Sequence, residues 1–285
     1  MPDLENIAAT VAAAEAQVSN LRPGCEKRII WAGAPAVKTP IALVYVHGFS
    51  ASPEELRPLP DLVANALGAN IHYTRLTGHG QDSAAMGQAK LMDWQHDVNE
   101  AIEIAQTIGD AVVIMGCSTG CTLATLALAN GAQARGVIYV SPNFGLRNRA
   151  AQFVMDMPGV KHWGHIVAGQ TRSFTPISAA HTAYWTNVYP TKAVYPMADA
   201  VRAVRKADLS QIATPALFAY NVADQVVHPK DTQRVVARWG GPTEVVLLEQ
   251  GPADDLMGHV MAGDVFSPGQ TAPLAARISA WLKSL

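Results

Sequence analysis

The stretch that most constrains this chain is Ala111 to Asn130, A-V-V-I-M-G-C-S-T-G-C-T-L-A-T-L-A-L-A-N. It opens as an apolar run, Ala111 to Met115, of the kind that forms a buried strand. It ends as a helix-forming run, Thr122 to Asn130, stopped by Gly131. Between them Gly116-Cys117-Ser118-Thr119-Gly120 has the form G-x-S-x-G. A strand that turns this sharply into a helix puts its apex residue in a strained backbone conformation. Glycines two positions to either side leave room for the chain to fold back, and the serine hydroxyl is left exposed at the sheet's edge. The helix that follows aims its positive end, with unpaired N–H groups, at the same spot. Ser118 is therefore the candidate nucleophile.

The flanking sequence supplies a sheet for this turn to sit in. Lys27 to Trp31 reads as an edge strand. Ile41 to Val46 is a continuous apolar run, hence a strand buried on both faces, followed at once by His47-Gly48-Phe49-Ser50. Ser52-Pro53-Glu54-Glu55 looks like an N-cap with proline at the first helical position and acids in the first turn, opening a helix to about Leu67. Ile71 to Leu76 is the next strand. A helix over about Leu91 to Ile108 has Trp94, Val98, Ile102 and Ala105 on one face. Gly136 to Val140, Ala216 to Tyr220 and Glu244 to Leu248 continue the strands, with helices at about Lys230 to Trp239 and Leu274 to Leu285. Alternating strands and helices indicate βαβ units and a mostly parallel sheet with helices on both faces.

The rhythm fails between about Gly145 and Val204, where no clean strand is found and Trp163, Phe174, Tyr184, Trp185, Tyr189 and Tyr195 crowd together. The segment is too apolar for a disordered linker and too long for an ordinary loop. It reads as a helical cap inserted into the fold. Residues 3 to 20 look like an amphipathic helix ahead of the core, with the domain or a second copy of the chain (a homodimer) as its packing partner.

Composition excludes several classes. A net charge of -2 at pH 7 leaves no electrostatic footprint for nucleic acid. No apolar stretch approaches the roughly 20 residues of a membrane helix, so no stable membrane insertion is expected. Three cysteines cannot all pair, and Cys117 and Cys121 flank the nucleophile. They read as small buried core residues, with no metal implied. Without a disulfide framework or a signal-peptide pattern, the expected location is cytoplasmic.

A serine hydroxyl is a weak nucleophile unless a base takes its proton, and the base must be oriented by a third group. Reactive groups of a parallel α/β sheet collect at the carboxyl ends of strands. Asp224 sits just past the strand ending at Tyr220, and His259 in the loop past the last strand. The order Ser118, Asp224, His259 is the one expected with this elbow. Asp254 and Asp255 compete with Asp224 but share a loop with His259, where solvation is the plainer role. His228 competes with His259 but precedes Pro229 at the start of a helix, which suits a cap. His79 reads as part of a structural loop, and His47 as a brace for the loop it begins. His162, His165 and His181 lack the partners of a zinc site.

At these residues the chain resembles the α/β-hydrolase superfamily, over nearly its whole length outside the insert. The matching pieces are H-G-F-S at 47–50, T-G-H-G-Q-D-S at 77–83, G-C-S-T-G at 116–120, D-Q-V-V at 224–227 and G-H at 258–259. Within it the chain looks most like the carboxylesterase and monoacylglycerol-lipase branch. It departs in having Cys117 where those lipases usually have histidine, and Phe49-Ser50 where many lipases have further glycine. The expected organisation is an N-terminal helix over 1–22, a core of 23–144 and 205–285, and an insert over 145–204, at the place where the resemblance implies a helical cap. The resemblance also implies an oxyanion hole from the N–H groups of Phe49 and Thr119, and no cofactor. Trp163, Tyr184 and Trp185 are the expected pocket residues. The activity implied is that of a serine carboxylesterase acting on small to medium uncharged esters. A monoacylglycerol lipase, a thioesterase, an aminopeptidase-like amidase, a carbon–carbon bond hydrolase and a ligand-binding protein that hydrolyses little are the alternatives, since the fold does not choose among them.

Overall fold

The computed structural model describes residues 3–285 and contains a seven-stranded sheet. Its strands are β1 (Arg28–Ile30), β2 (Thr39–Val46), β3 (Asn70–Tyr73), β4 (Gly109–Cys117), β5 (Gly136–Val140), β8 (Ala216–Tyr220) and β9 (Thr243–Leu247). They lie in the order β1-β3-β2-β4-β5-β8-β9, with only β1 antiparallel to its neighbour.

Alternation along the central strands divides the interior into two cores, because successive side chains of a strand point to opposite faces. On β2, Ala42, Val44 and Val46 enter one core and Leu43 and Tyr45 the other. On β4 the division is Val112 and Ile114 against Val113, Met115 and Cys117. Helices α4 (Leu91–Ile108) and α5 (Thr119–Ala129) cover the first face, joined by α1 (Ile7–Ala16) through Ile7 and Val11. The expected stripe of Trp94, Val98, Ile102 and Ala105 is buried there. Helices α2 (Leu59–Leu67) and α11 (Pro268–Ser284) cover the second face through Leu59, Val63, Leu274, Ile278 and Trp281. Burying such side chains stabilises by about 1.5–3 kcal/mol each. The register that this burial enforces fixes which strand ends are neighbours.

α1 is shorter than the expected 3–20, and it packs on the domain itself. Glu15 is buried in a bidentate pair with Arg75, at 2.6 and 2.8 Å. The four-residue α3 (Ser83–Met86) is capped by Asp82.

Two expectations are corrected here. The helix expected from Ser52 begins at Leu59, after a series of turns. Pro58 and Pro60 lack N–H donors, so the i→i−4 ladder cannot be carried back through them. The segment between β5 and β8 was expected to hold no strand. It contains α6 (Arg149–Asp156), α7 (Val160–Ala168), α8 (Ala179–Tyr184) and α9 (Val194–Lys206), and also an antiparallel ribbon of β6 (Thr171–Ser173) with β7 (Val188–Pro190). Strands of three residues are too short to show a period. The last interstrand helix is α10 (Pro229–Arg238).

Because β2 pairs with both β3 and β4, the chain reverses its direction across the sheet at β2, where ligands of open α/β sheets collect. Val46 lies opposite Gly116, Val140 opposite Cys117, and Ala219 opposite Val140. The loops after β2, β4, β5 and β8 therefore open side by side.

Candidate active site

Ser118 stands at the turn between β4 and α5 with φ 49° and ψ -110°, a conformation that a side-chain-bearing residue adopts only under constraint. Its N–H donates to the Val140 carbonyl at 3.0 Å, and its own carbonyl accepts from the N–H of Asn143 at 3.1 Å. The flanking glycines are needed for contact as well as for turning. A Cβ on Gly120 would run into the Val46 carbonyl, and one on Gly116 would meet the Cys121 nitrogen at 2.7 Å. Helix α5 can start directly beneath the serine only because both positions lack a side chain.

Asp224 and His259 arrive from the ends of β8 and β9. His259 Nδ1 lies 2.7 Å from Asp224 Oδ2, and Nε2 lies 3.0 Å from Ser118 Oγ. Asp224 is fixed from its other side: Oδ1 accepts the N–H groups of Val226 at 2.7 Å and Val227 at 2.9 Å. With Oδ2 facing the ring, Nδ1 carries the hydrogen and Nε2 presents its lone pair to the serine hydroxyl. Burial by itself lowers the His259 pKa. The charge and hydrogen bond of Asp224, with the charges of Glu55 and Asp255, outweigh it and raise the pKa above the ordinary histidine value.

The competing residues have other work. Asp254 accepts from the Gly251 N–H and the Gln270 amide. Asp255 accepts the N–H groups of Met257, His259 and Val260. Both are buried, so neither serves solvation; they shape the loop that holds His259. His228 caps α10 by accepting from the Lys230 N–H at 3.2 Å. His47 Nε2 accepts the Leu76 N–H at 3.1 Å, which leaves Nδ1–H to donate to the Gly48 carbonyl at 2.8 Å. It braces its loop, and burial drives its pKa well down, keeping the ring neutral. His79, pushed down to about 4 by burial, packs at steep angles against the His47 and Trp94 rings. Cys117 and Cys121 are free and buried, and burial raises both thiol pKa values well above normal.

A cavity of about 900 Å³ opens over Ser118 and His259. Phe49 and Thr119 line it, and Thr119 is the first residue of α5, where N–H groups have no intrahelical partner. From the segment between β5 and β8 come Val154, Val167, Ile177, Trp185 and Tyr189. Tyr189 meets the Phe49 ring edge-on at 5.2 Å. Of the three expected pocket aromatics only Trp185 lines the cavity. Trp163 lies beside the cavity-facing positions Val160, Gly164 and Val167 of α7, and its indole N–H is tied back to the Pro158 carbonyl at 3.2 Å. Tyr184 lies between His181 and Trp185, which face the cavity, and packs toward Gly24 instead. Helical phase separates these aromatics, and the phase of α7 and α8 could not be assigned without their boundaries.

One residue at the site escaped the sequence reading. Glu55 lies on the cavity wall instead of in an exposed first turn. The signal was its spacing: in the expected helix it would fall four residues before Leu59 and eight before Val63, on the apolar face.

A sequence model of the Alpha/beta hydrolase family matches residues 43–273, and the chain belongs to that family. A thermostable monoacylglycerol lipase of Bacillus sp. (strain H-257) is 34% identical over 90 residues, a stretch spanning 32% of this chain and 35% of that protein. Among solved structures, one from work on two metagenome-derived lipolytic enzymes, LipS and LipT, superposes with a TM-score of 0.73 at 20% identity, covering 93% of this chain and all of that one. The Paleococcus ferrophilus monoacylglycerol lipase gives 0.67 at 16% identity, covering 90% of this chain and 98% of the other. A soluble variant of the Saccharomyces cerevisiae monoglyceride lipase gives 0.68 at 12% identity, covering 91% and 90%. At such identities these likenesses are of fold. Among the described residues no helix is long and apolar enough to cross a membrane.

Proposed function

We propose that this protein is a serine carboxylesterase that uses Ser118, His259 and Asp224 as a catalytic triad on uncharged carboxylic esters. The observation that carries the reading is the continuous hydrogen-bonded line from Asp224 through His259 to Ser118 at the floor of a largely apolar cavity. Ser118 Oγ attacks the ester carbonyl while His259 Nε2 takes its proton, and Asp224 holds the imidazolium that results. The N–H groups of Phe49 and Thr119 receive the developing oxyanion; a single such donor is worth about 3–4 kcal/mol in related chemistry. His259 then protonates the leaving alcohol. A water activated by the same histidine cleaves the acyl-enzyme.

Residues 145–204 act in this reading as a cap that encloses the acyl group. A cavity of about 900 Å³ lies near the upper end of the roughly 300–1,000 Å³ of drug-sized ligand pockets. That size, with the lipolytic relatives, favours a second reading in which the esters are monoacylglycerols. Hydrolysis of nitrophenyl esters of increasing acyl length, beside monoacylglycerols of the same lengths, tests both. Turnover of neither series would refute the esterase reading, and a preference for the glycerol esters would select the second.

A further inference from the structure

The mechanism above gives no role to the buried carboxylate on the cavity wall, Glu55. Glu55 is 3% exposed, in the turn between the Phe49 loop and α2. Its Oε2 accepts the Gly48 N–H at 2.6 Å and the Tyr45 hydroxyl at 2.9 Å. The approach to the loop is close enough that a Cβ on Gly48 would meet Oε1 at 2.6 Å.

Among the described residues no lysine or arginine forms an ion pair with Glu55, whereas its neighbour Glu54 has both Arg28 and Arg57. Isolated buried carboxylates are costly, by several kcal/mol each. Burial is the strongest influence on this one and lifts its pKa above the ordinary carboxylate value, while the hydrogen bonds from Gly48 and Tyr45 pull the other way, toward the charged form. The cation that completes its neutralisation is His259, which lines the same cavity and becomes an imidazolium when it takes up a proton.

We propose that Glu55 is a positioning residue for the reaction, anchoring the peptide that precedes Phe49 and placing a second negative charge beside the imidazolium of His259. This rests on the triad reading. Three carboxylates interact with His259: Asp224 from the end of β8, Glu55 from the turn before α2, and Asp255 from its own loop. Asp224 orients the ring by direct contact, and Asp255 is occupied by three backbone N–H groups. Glu55 lines the cavity beside the histidine and also holds the Gly48 N–H at the start of the Phe49 loop.

Its two roles come apart in two variants of the full chain. Glu55→Gln keeps an acceptor for the Gly48 N–H and removes the charge. Glu55→Asp keeps the charge but is a methylene too short to reach that N–H. The readouts are an NMR titration of His259, assigned with His259→Ala, and kcat and KM on a nitrophenyl ester. In Glu55→Gln the His259 pKa falls by about one unit, and the acid limb of kcat/KM moves down with it. In Glu55→Asp the titration stays at the wild-type position while kcat falls about tenfold or more with KM little changed. An unmoved His259 titration in folded Glu55→Gln would overturn the proposal. Should that variant not fold, Tyr45→Phe joins Glu55→Asp as a probe of the anchor, and unchanged kcat in both would overturn it equally. The NMR titration does not need turnover. A wild type that hydrolyses no ester while His259 still shifts would fail the esterase reading and leave the field of Glu55 established.

Discussion

Replacing Asp224 by asparagine separates orientation from charge at the site, and the structure says what will follow. Asp224 Oδ1 accepts two backbone N–H groups, at 2.7 and 2.9 Å, and Oδ2 faces His259 Nδ1 at 2.7 Å. An asparagine can keep the two backbone bonds only by placing its oxygen at the Oδ1 position. Its NH2 group then faces Nδ1. Two donors meet there unless the imidazole moves its hydrogen to Nε2, and that nitrogen can then no longer accept the Ser118 proton across 3.0 Å. Flipping the amide would instead set NH2 against the N–H groups of Val226 and Val227, losing two hydrogen bonds of about 1 kcal/mol each and leaving both donors unsatisfied. The unproductive tautomer therefore dominates. The same exchange lowers kcat about 10⁴-fold in a serine protease triad, equivalent to roughly 5.5 kcal/mol at 1.36 kcal/mol per tenfold. Because shape and backbone bonds are retained, the melting temperature should stay within about 4 °C. The assay is kcat on a nitrophenyl ester with melting curves on the same preparations. A folded Asp224→Asn enzyme within about tenfold of wild type would refute the orientation argument.

Two further outcomes follow from the same site and its supporting backbone. In the proposed mechanism His259 is a base only when neutral, and its pKa is raised because Asp224, Glu55 and Asp255 outweigh burial. Activity should therefore be lost as pH falls through a midpoint above about 6.5; a pH–rate profile with its acid limb below that value would contradict the electrostatics. Gly120→Ala would drive a Cβ into backbone oxygens of Val46 and His47 and should destabilise by about 3 kcal/mol or more. Gly269→Ala, with nothing within 4 Å, should instead stabilise by roughly 0.5–1 kcal/mol. Equal effects of the two in urea unfolding would contradict the close-approach reading.

What could be read from the sequence was whatever local pattern alone decides. β5 and β8 fall where apolar runs bounded by turn residues put them, and α4 spans Leu91–Ile108 as its apolar stripe requires. Ser118, Asp224 and His259 were candidates because each lies past the carboxyl end of a strand, where the strand ends of a parallel sheet converge; the hydrogen bonds that join them needed the fold. The residues that were misread depend on distant partners. Glu55 looked like a first-turn acid because nothing local shows that Tyr45 and Gly48 will donate to it. Asp255 looked like a solvated loop residue because its acceptor role is set by a turn of the 257–260 backbone. Trp163 and Tyr184 were assigned to the pocket by composition, and helical phase decided otherwise. The β6–β7 ribbon went unread because three-residue strands carry no period.

The central claim is that Ser118 is an activated nucleophile, and covalent labelling tests it most directly. A fluorophosphonate probe would be applied to wild type, Ser118→Ala and His259→Ala, and the modified peptide located by mass spectrometry. The account predicts rapid labelling at Ser118 in wild type and its loss in both variants, since removing either residue of such a pair costs about 10⁶-fold in subtilisin. Absence of labelling in folded wild type, or labelling of Ser118 that persists undiminished without His259, would contradict it.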